Sequence, residues 1–137
     1  MLKMNYLLAK ISEETLAFPA TSVLGIHHKP ALKNIPHLPK HVLGVTVIRN
    51  QALPVAKISE PESNGLYMVV DNGKDQFALP VKKVVAFIEI NAAEIKAINL
   101  IKYKDSNFAG YSDGLWEKDG EKILLINPEK LVWTKGE

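Results

Sequence analysis

The chain reads as an all-β protein made of two similar small β-barrels, one per half, and three observations predict this. The first is an internal repeat. Tyr6-Leu7-Leu8-Ala9, Leu16-Ala17-Phe18-Pro19 and Val23 return as Tyr67-Met68-Val69-Val70, Phe77-Ala78-Leu79-Pro80 and Val84, each matched pair 61 residues apart. The second is spacing: short apolar and β-branched runs recur about every eight to twelve residues with turn signals between them, the pattern of sandwiches and barrels. The third is that strand signals dominate and only two short stretches look helical. Closing each half into a barrel removes exposed sheet edges and explains the repeat. A single sandwich with look-alike strands is the competing arrangement, and four matched blocks at one offset weigh against it.

Each element has its own signal. Residues 5–11 and 15–18 form a hairpin across Ser12-Glu13-Glu14. Pro19 has no N–H for a ladder and fixes its own φ, so the strand ends or bends there. Residues 23–28 restart as a strand. Residues 29–40 carry Pro30, Pro36 and Pro39 and read as a surface loop. Residues 42–48 and 51–58 are two more strands around a tight turn at Arg49-Asn50, where Asn tolerates the left-handed conformation.

The polar stretch 60–65 divides the halves: residues 1–64 form the first barrel and 65–137 the second, with exchange of strands between them allowed. The second half opens with strands 66–70 and 76–79 joined by 71–75, and residues 84–90 match the restart. Residues 91–95 form one helical turn capped by Asn91. Asp119-Gly120 joins strands 112–118 and 122–126. Asn127-Pro128-Glu129 starts a short C-terminal helix, 128–132, with Asn as cap, Pro in the first position and an acid in the first turn.

Composition excludes several functions. The chain has 137 residues, the size of one domain or of two small lobes on a common core, and an apolar share of 47%, ordinary for a globular protein. Seventeen basic against 15 acidic residues leave a formal charge of +2, too weak a bias to point to nucleic acid or an anionic membrane. There is no cysteine, which removes disulfides, thiolate metal sites and cysteine nucleophiles and fits a reducing cytoplasm. The N-terminus lacks the pattern of a signal peptide, and no run approaches the ~20 apolar residues that cross a bilayer.

Catalytic strings are decoys. Gly110-Tyr111-Ser112-Asp113-Gly114 matches G-x-S-x-G, but that elbow needs a strand-to-helix turn and a downstream histidine. All four histidines (His27, His28, His37, His41) lie upstream of Ser112. Pro39 separates His37 from His41, and His27 and His28 are strand neighbours pointing to opposite faces, so no metal site is expected. The glycines are isolated turn residues and cradle no phosphate. No cofactor is expected. Lys82, Lys83, Lys102, Tyr103 and Lys104 could bind a single nucleic-acid strand, the alternative function, although a solubilising strand face accounts for them. What remains is a polar turn that projects Arg49 from apolar strands. A planar guanidinium placed so can make forked contacts with a partner carboxylate or carbonyl while its stem packs.

The segment from Pro36 through Gly44-Val45, Ile48-Arg49-Asn50-Gln51 and Leu53-Pro54-Val55 resembles the signature of CheW-like domains: a P-x-x-P-like loop, a G-V strand, an L-R-G-Q-like turn and a V-P-V strand. Gln76-Phe77-Ala78-Leu79-Pro80-Val81-Lys82-Lys83-Val84 is similar to the strand and V-D-x-V of that family. Gly110, followed by residues 119–131, resembles its closing hairpin and final helix. The likeness spans residues 5–133. It implies two pseudo-symmetric, five-stranded SH3-like barrels sharing a core, and a non-enzymatic cytoplasmic adaptor without cofactor. The partners it implies are the regulatory domain of a CheA-type histidine kinase, docked end to end, and a chemoreceptor signalling tip packed between the barrels. The output would be chemotaxis or pilus-driven motility. It assigns partner binding to Arg49 and Asn50 and to the strand leading to them, Val42, Leu43, Gly44 and Val45. Asn50 stands where the family's turn has glycine, and Leu24-Gly25-Ile26 stands where an acidic residue is frequent.

Overall fold

Hairpins organise the chain, and its apolar residues decide how they stack. The computed structural model describes residues 2–28, 32–33, 36–37, 42–56, 66–98 and 108–131. Within them run β1 (Lys3–Ile11), β2 (Glu14–Pro19), β3 (Val23–His28), β4 (Val42–Ile48), β5 (Gln51–Ala56), β6 (Leu66–Asp71), β7 (Gln76–Val81), β8 (Lys83–Asn91), β9 (Ser112–Lys118) and β10 (Glu121–Ile126). The stretch expected as the divider of the halves falls outside the described residues.

The strands form two five-stranded sheets, ordered β8-β1-β2-β10-β9 and β3-β6-β7-β5-β4. Replacing each strand by its repeat partner turns one order into the other. Each sheet is therefore mixed: it takes the opening hairpin of one half and the three later strands of the other. The repeat extends to register. Leu7 faces Phe18 as Met68 faces Leu79, and Tyr6 faces Ile88 as Tyr67 faces His27. The single parallel contact repeats as well, Ala17 with Leu125 and Ala78 with Val55. β4 and β5 match β9 and β10 at a separate spacing of 70, because the connection after β8 is longer than that after β3.

Where the repeat predicts closed barrels, the pairing shows sheets: among the described residues no ladder joins the outer strands of either one. The edges that closure would use are met at single points. Lys33 exchanges backbone hydrogen bonds of 2.8 and 2.9 Å with Val45 on β4, and Lys96 exchanges two of 2.8 Å with Leu115 on β9. Gly44 and Gly114, at matching positions, permit these crossings. A Cβ on Gly44 would lie 2.6 Å from the Lys33 carbonyl oxygen, and one on Gly114 would lie 2.6 Å from Ile95 Cγ2.

Strand alternation distributes the core over both faces of each sheet. Leu7, Ile11, Leu16 and Phe18 of the first sheet meet Met68, Val70, Phe77 and Leu79 of the second in one cluster between the sheets. Each large apolar side chain buried there contributes ~1.5–3 kcal/mol. The alternate residues Tyr6, Leu8 and Ala17 point the other way and join Ile90, Trp116, Ile123 and Leu125. Ile90 and Trp116 lie on the two outer strands of the first sheet, so that sheet curls around its own second core.

The helical expectations shrink to single 3-10 turns. Ala92–Glu94 carries a capping box: Asn91 Oδ1 accepts from Ala93 N at 3.0 Å, and Asn91 N donates to Glu94 Oε1 at 3.3 Å. The C-terminal helix expected over 128–132 is only the turn Pro128–Lys130, with Asn127 Oδ1 accepting from Glu129 N at 3.0 Å as its cap; residue 132 lies outside the described residues. The cap was readable, but the continuation is lost to tertiary contacts. Leu131 leaves the helical path (φ −88°, ψ 90°), buries fully between the sheets, and its carbonyl accepts a 2.6 Å bond from Asn72 Nδ2.

Candidate partner-binding surface

β4 carries the predicted site residues, and its pairing with β5 sets where each one points. Ile48 faces Gln51, leaving Arg49-Asn50 as a two-residue turn. Both central residues have positive φ, 53° for Arg49 and 64° for Asn50. That is the primed turn whose twist matches a hairpin, and it prefers Asn, Asp or Gly at both positions. Asn50 suits it. Arg49 does not: an unbranched but bulky L-residue held left-handed costs about 1–2 kcal/mol. Backbone outliers of this kind concentrate at functional positions. The need for a left-handed Arg49 could have been read from the two-residue loop length alone.

Arg49 and Asn50 are exposed, Val42, Leu43 and Val45 are half-buried, and Gly44 is buried. Leu43 packs against Val55, Tyr67 and Ala78. Gly44 serves the Lys33 crossing and offers no side chain to a partner. Arg49 and Asn50 are thus the accessible members of the predicted set, and the strand leading to them is mostly their support. Arg49 forms no ion pair with another described residue.

Beside Arg49 lies a hollow of about 130 Å³ with an apolar floor of Ile48, Leu53 and Val69 and the exposed Leu24 at its mouth. Gln51, Gln76 and His27 line it together with Arg49. From the sequence, His27 is a candidate for metal binding alone. What brings it here is the β3–β6 pairing, in which His27 faces Tyr67.

Other candidates separate. Ser112 opens a strand instead of a helix, is buried, and donates its Oγ hydrogen to the Ala109 carbonyl at 2.9 Å. Among the described residues no three His, Asp or Glu side chains gather. Lys82 leans on Glu13 at 3.6 Å, while Lys102, Tyr103 and Lys104 lie outside the described residues. No helix is long and apolar enough to cross a membrane among the described residues.

Electrostatic shifts fall on matched tyrosines. Burial, and secondarily the nearby Asp113 carboxylate, raises the Tyr6 pKa above its ordinary value. Burial alone raises that of Tyr67. Both are core residues with no chemical task.

Comparison with known proteins agrees with this architecture. Residues 5–135 match the family model described as the CheW-like domain. Fifteen chains of solved structures match. One is the scaffolding protein TtCheW from Thermoanaerobacter tengcongensis, 16% identical, with a TM-score of 0.82 over 100% of this chain and 92% of that one. At that identity the likeness speaks for the fold. No curated protein sequence matches the chain.

Proposed function

The chain belongs to the CheW-like domain family, and from that we propose that it is a non-enzymatic cytoplasmic adaptor coupling chemoreceptors to a CheA-type histidine kinase, in a chemotaxis or pilus-motility system. The observation that carries the reading is the Arg49-Asn50 tip. It is exposed, rigidly presented by a paired hairpin, and held in a conformation unfavourable for arginine, which local stability does not explain.

Val42, Leu43, Gly44 and Val45 belong to the same site as the strand that aims the tip, and the kinase's regulatory domain docks there. The receptor tip packs against the outer strands. Support for the latter comes from exposed apolar residues at matched places, Leu24 and Ile26 on β3 and Val85 and Phe87 on β8; Phe87 keeps 68% of its surface exposed. Large apolar side chains left in water in this way mark interaction surfaces when they cluster.

A pull-down from the native host tests the proposal. Wild type should recover a CheA-type kinase or a chemoreceptor, and Arg49→Glu should lose one of them while keeping its folded spectrum. Recovery of neither by wild type would overturn the adaptor reading.

A further inference from the structure

We infer that the hollow beside Arg49 is a socket for one apolar side chain of a partner protein that carries a carboxylate next to that side chain. The inference rests on the reading of the Arg49 tip as a partner contact and specifies what the partner presents. Size is the first argument. About 130 Å³ holds one aliphatic side chain and falls below the ~300–1,000 Å³ of small-molecule sites.

Chemistry is the second. The floor is Ile48, Leu53 and Val69, Leu24 stands exposed at the mouth, and the rim bears the Arg49 guanidinium, which has no ion pair with another described residue. An apolar anchor removes the floor from water, and a neighbouring carboxylate takes the fork of the guanidinium. A lysine beside the anchor would meet the same cation and be repelled, so the rim selects as well as binds.

Comparison of the sheets is the third. At the matching place on the first sheet, Leu8, Trp116 and Ile123 share one large cluster with Ile88 packed on it. The second sheet has Val69, Thr46, Leu53 and His27 at those positions, and among the described residues its cluster there holds Ile48, Leu53 and Val69. Among the described residues the repeat thus has one end packed by a large cluster and one that keeps a hollow.

The test uses the full chain, isotopically labelled, titrated with acetylated and amidated Ser-Glu-Leu-Ser, and with the Gln-Leu, Glu-Ser and Lys-Leu versions. Saturable amide shifts at Arg49, Gln51, Leu53 and Val69 are expected with the Glu-Leu peptide. Binding should weaken at least tenfold with each of the others and be lost in Leu24→Trp, a surface change that plugs the mouth. Equal shifts with all four peptides, or none with Glu-Leu, would overturn the socket. Titration with the kinase regulatory domain and with a chemoreceptor tip fragment then separates the two ideas. Weakened binding by both Arg49→Glu and Leu24→Trp supports the socket. Loss with Arg49→Glu alone overturns the socket and leaves the tip as a contact, and loss with neither overturns both.

Discussion

Trp116 on β9 and Thr46 on β4 occupy the same place in two sheets that agree strand for strand and register for register. The tryptophan helps the first sheet to fill its own curl; the threonine is fully buried, and the described residues of the second sheet form two small clusters beside a hollow. The tips differ in the same sense. Asp119-Gly120 has φ of 52° and 81°, residues suited to a primed turn, while Arg49-Asn50 has the same geometry with an arginine in the first position. Duplication produced two equivalent frames. One has turn residues that suit its tip, and the other keeps an unfavourable residue there beside a hollow.

The comparison breaks most visibly at Trp116. Trp116→Ala should cost about 3–5 kcal/mol in denaturant unfolding, since nothing nearby can close over a tryptophan-sized gap. Trp116→Phe should cost far less, because the buried indole Nε1 has no hydrogen-bond partner to lose among the described residues. A large loss in Trp116→Phe would show that the indole N–H is satisfied and matters.

The crossing glycines come next. Gly44→Ala meets a backbone oxygen at 2.6 Å, whereas Gly114→Ala meets first the Ile95 Cγ2 methyl at 2.6 Å and a backbone oxygen, that of Lys96, only at 3.2 Å. We expect about 2 kcal/mol for the former and about 1 kcal/mol for the latter by chemical denaturation. Equal costs would mean that the two crossings are not distinguished by what lies opposite.

Replacement at the tip should reverse the sign. Arg49→Gly relieves the left-handed arginine and should raise stability by about 0.5–1 kcal/mol in thermal unfolding while weakening partner binding. A destabilised Arg49→Gly would mean that the arginine holds the fold, not a partner.

The smallest effect appears at high pH. Both matched tyrosines have pKa values raised in the folded state. Below pH 10 they are protonated whether folded or unfolded and contribute nothing to pH dependence. Above it the unfolded chain releases protons that the folded chain retains, so stability falls as pH rises further. Tyr67→Phe should flatten that decline in a pH series of melting temperatures.

Much of the fold was readable. The repeat, the hairpins, the Asn91 and Asn127 caps and the Asp119-Gly120 turn all rest on local chemistry, and local chemistry is what a sequence displays. The sequence allowed an exchange of strands between the halves but did not say which strands, because β2–β10 and β5–β7 pair through two registers and one, too little to leave a pattern. The final helix failed because Asn72 captures the Leu131 carbonyl from 59 residues away. For the site, the Arg49 turn stood out as a charged tip between apolar strands. The hollow did not, since His27, Gln76 and Leu24 reach it only through the stacking of β3 and β7 around β6.

The difference between the two tips is tested most directly by isothermal titration of Arg49→Glu and Asp119→Lys against the CheA-type regulatory domain and a chemoreceptor tip fragment, with melting temperatures as the control for folding. Arg49→Glu should weaken at least one of the two partners by more than tenfold, about 1.4 kcal/mol, while Asp119→Lys leaves both within twofold. Unchanged binding of both partners by Arg49→Glu, in a protein that melts normally, would contradict the assignment of the specialised contact to the first tip.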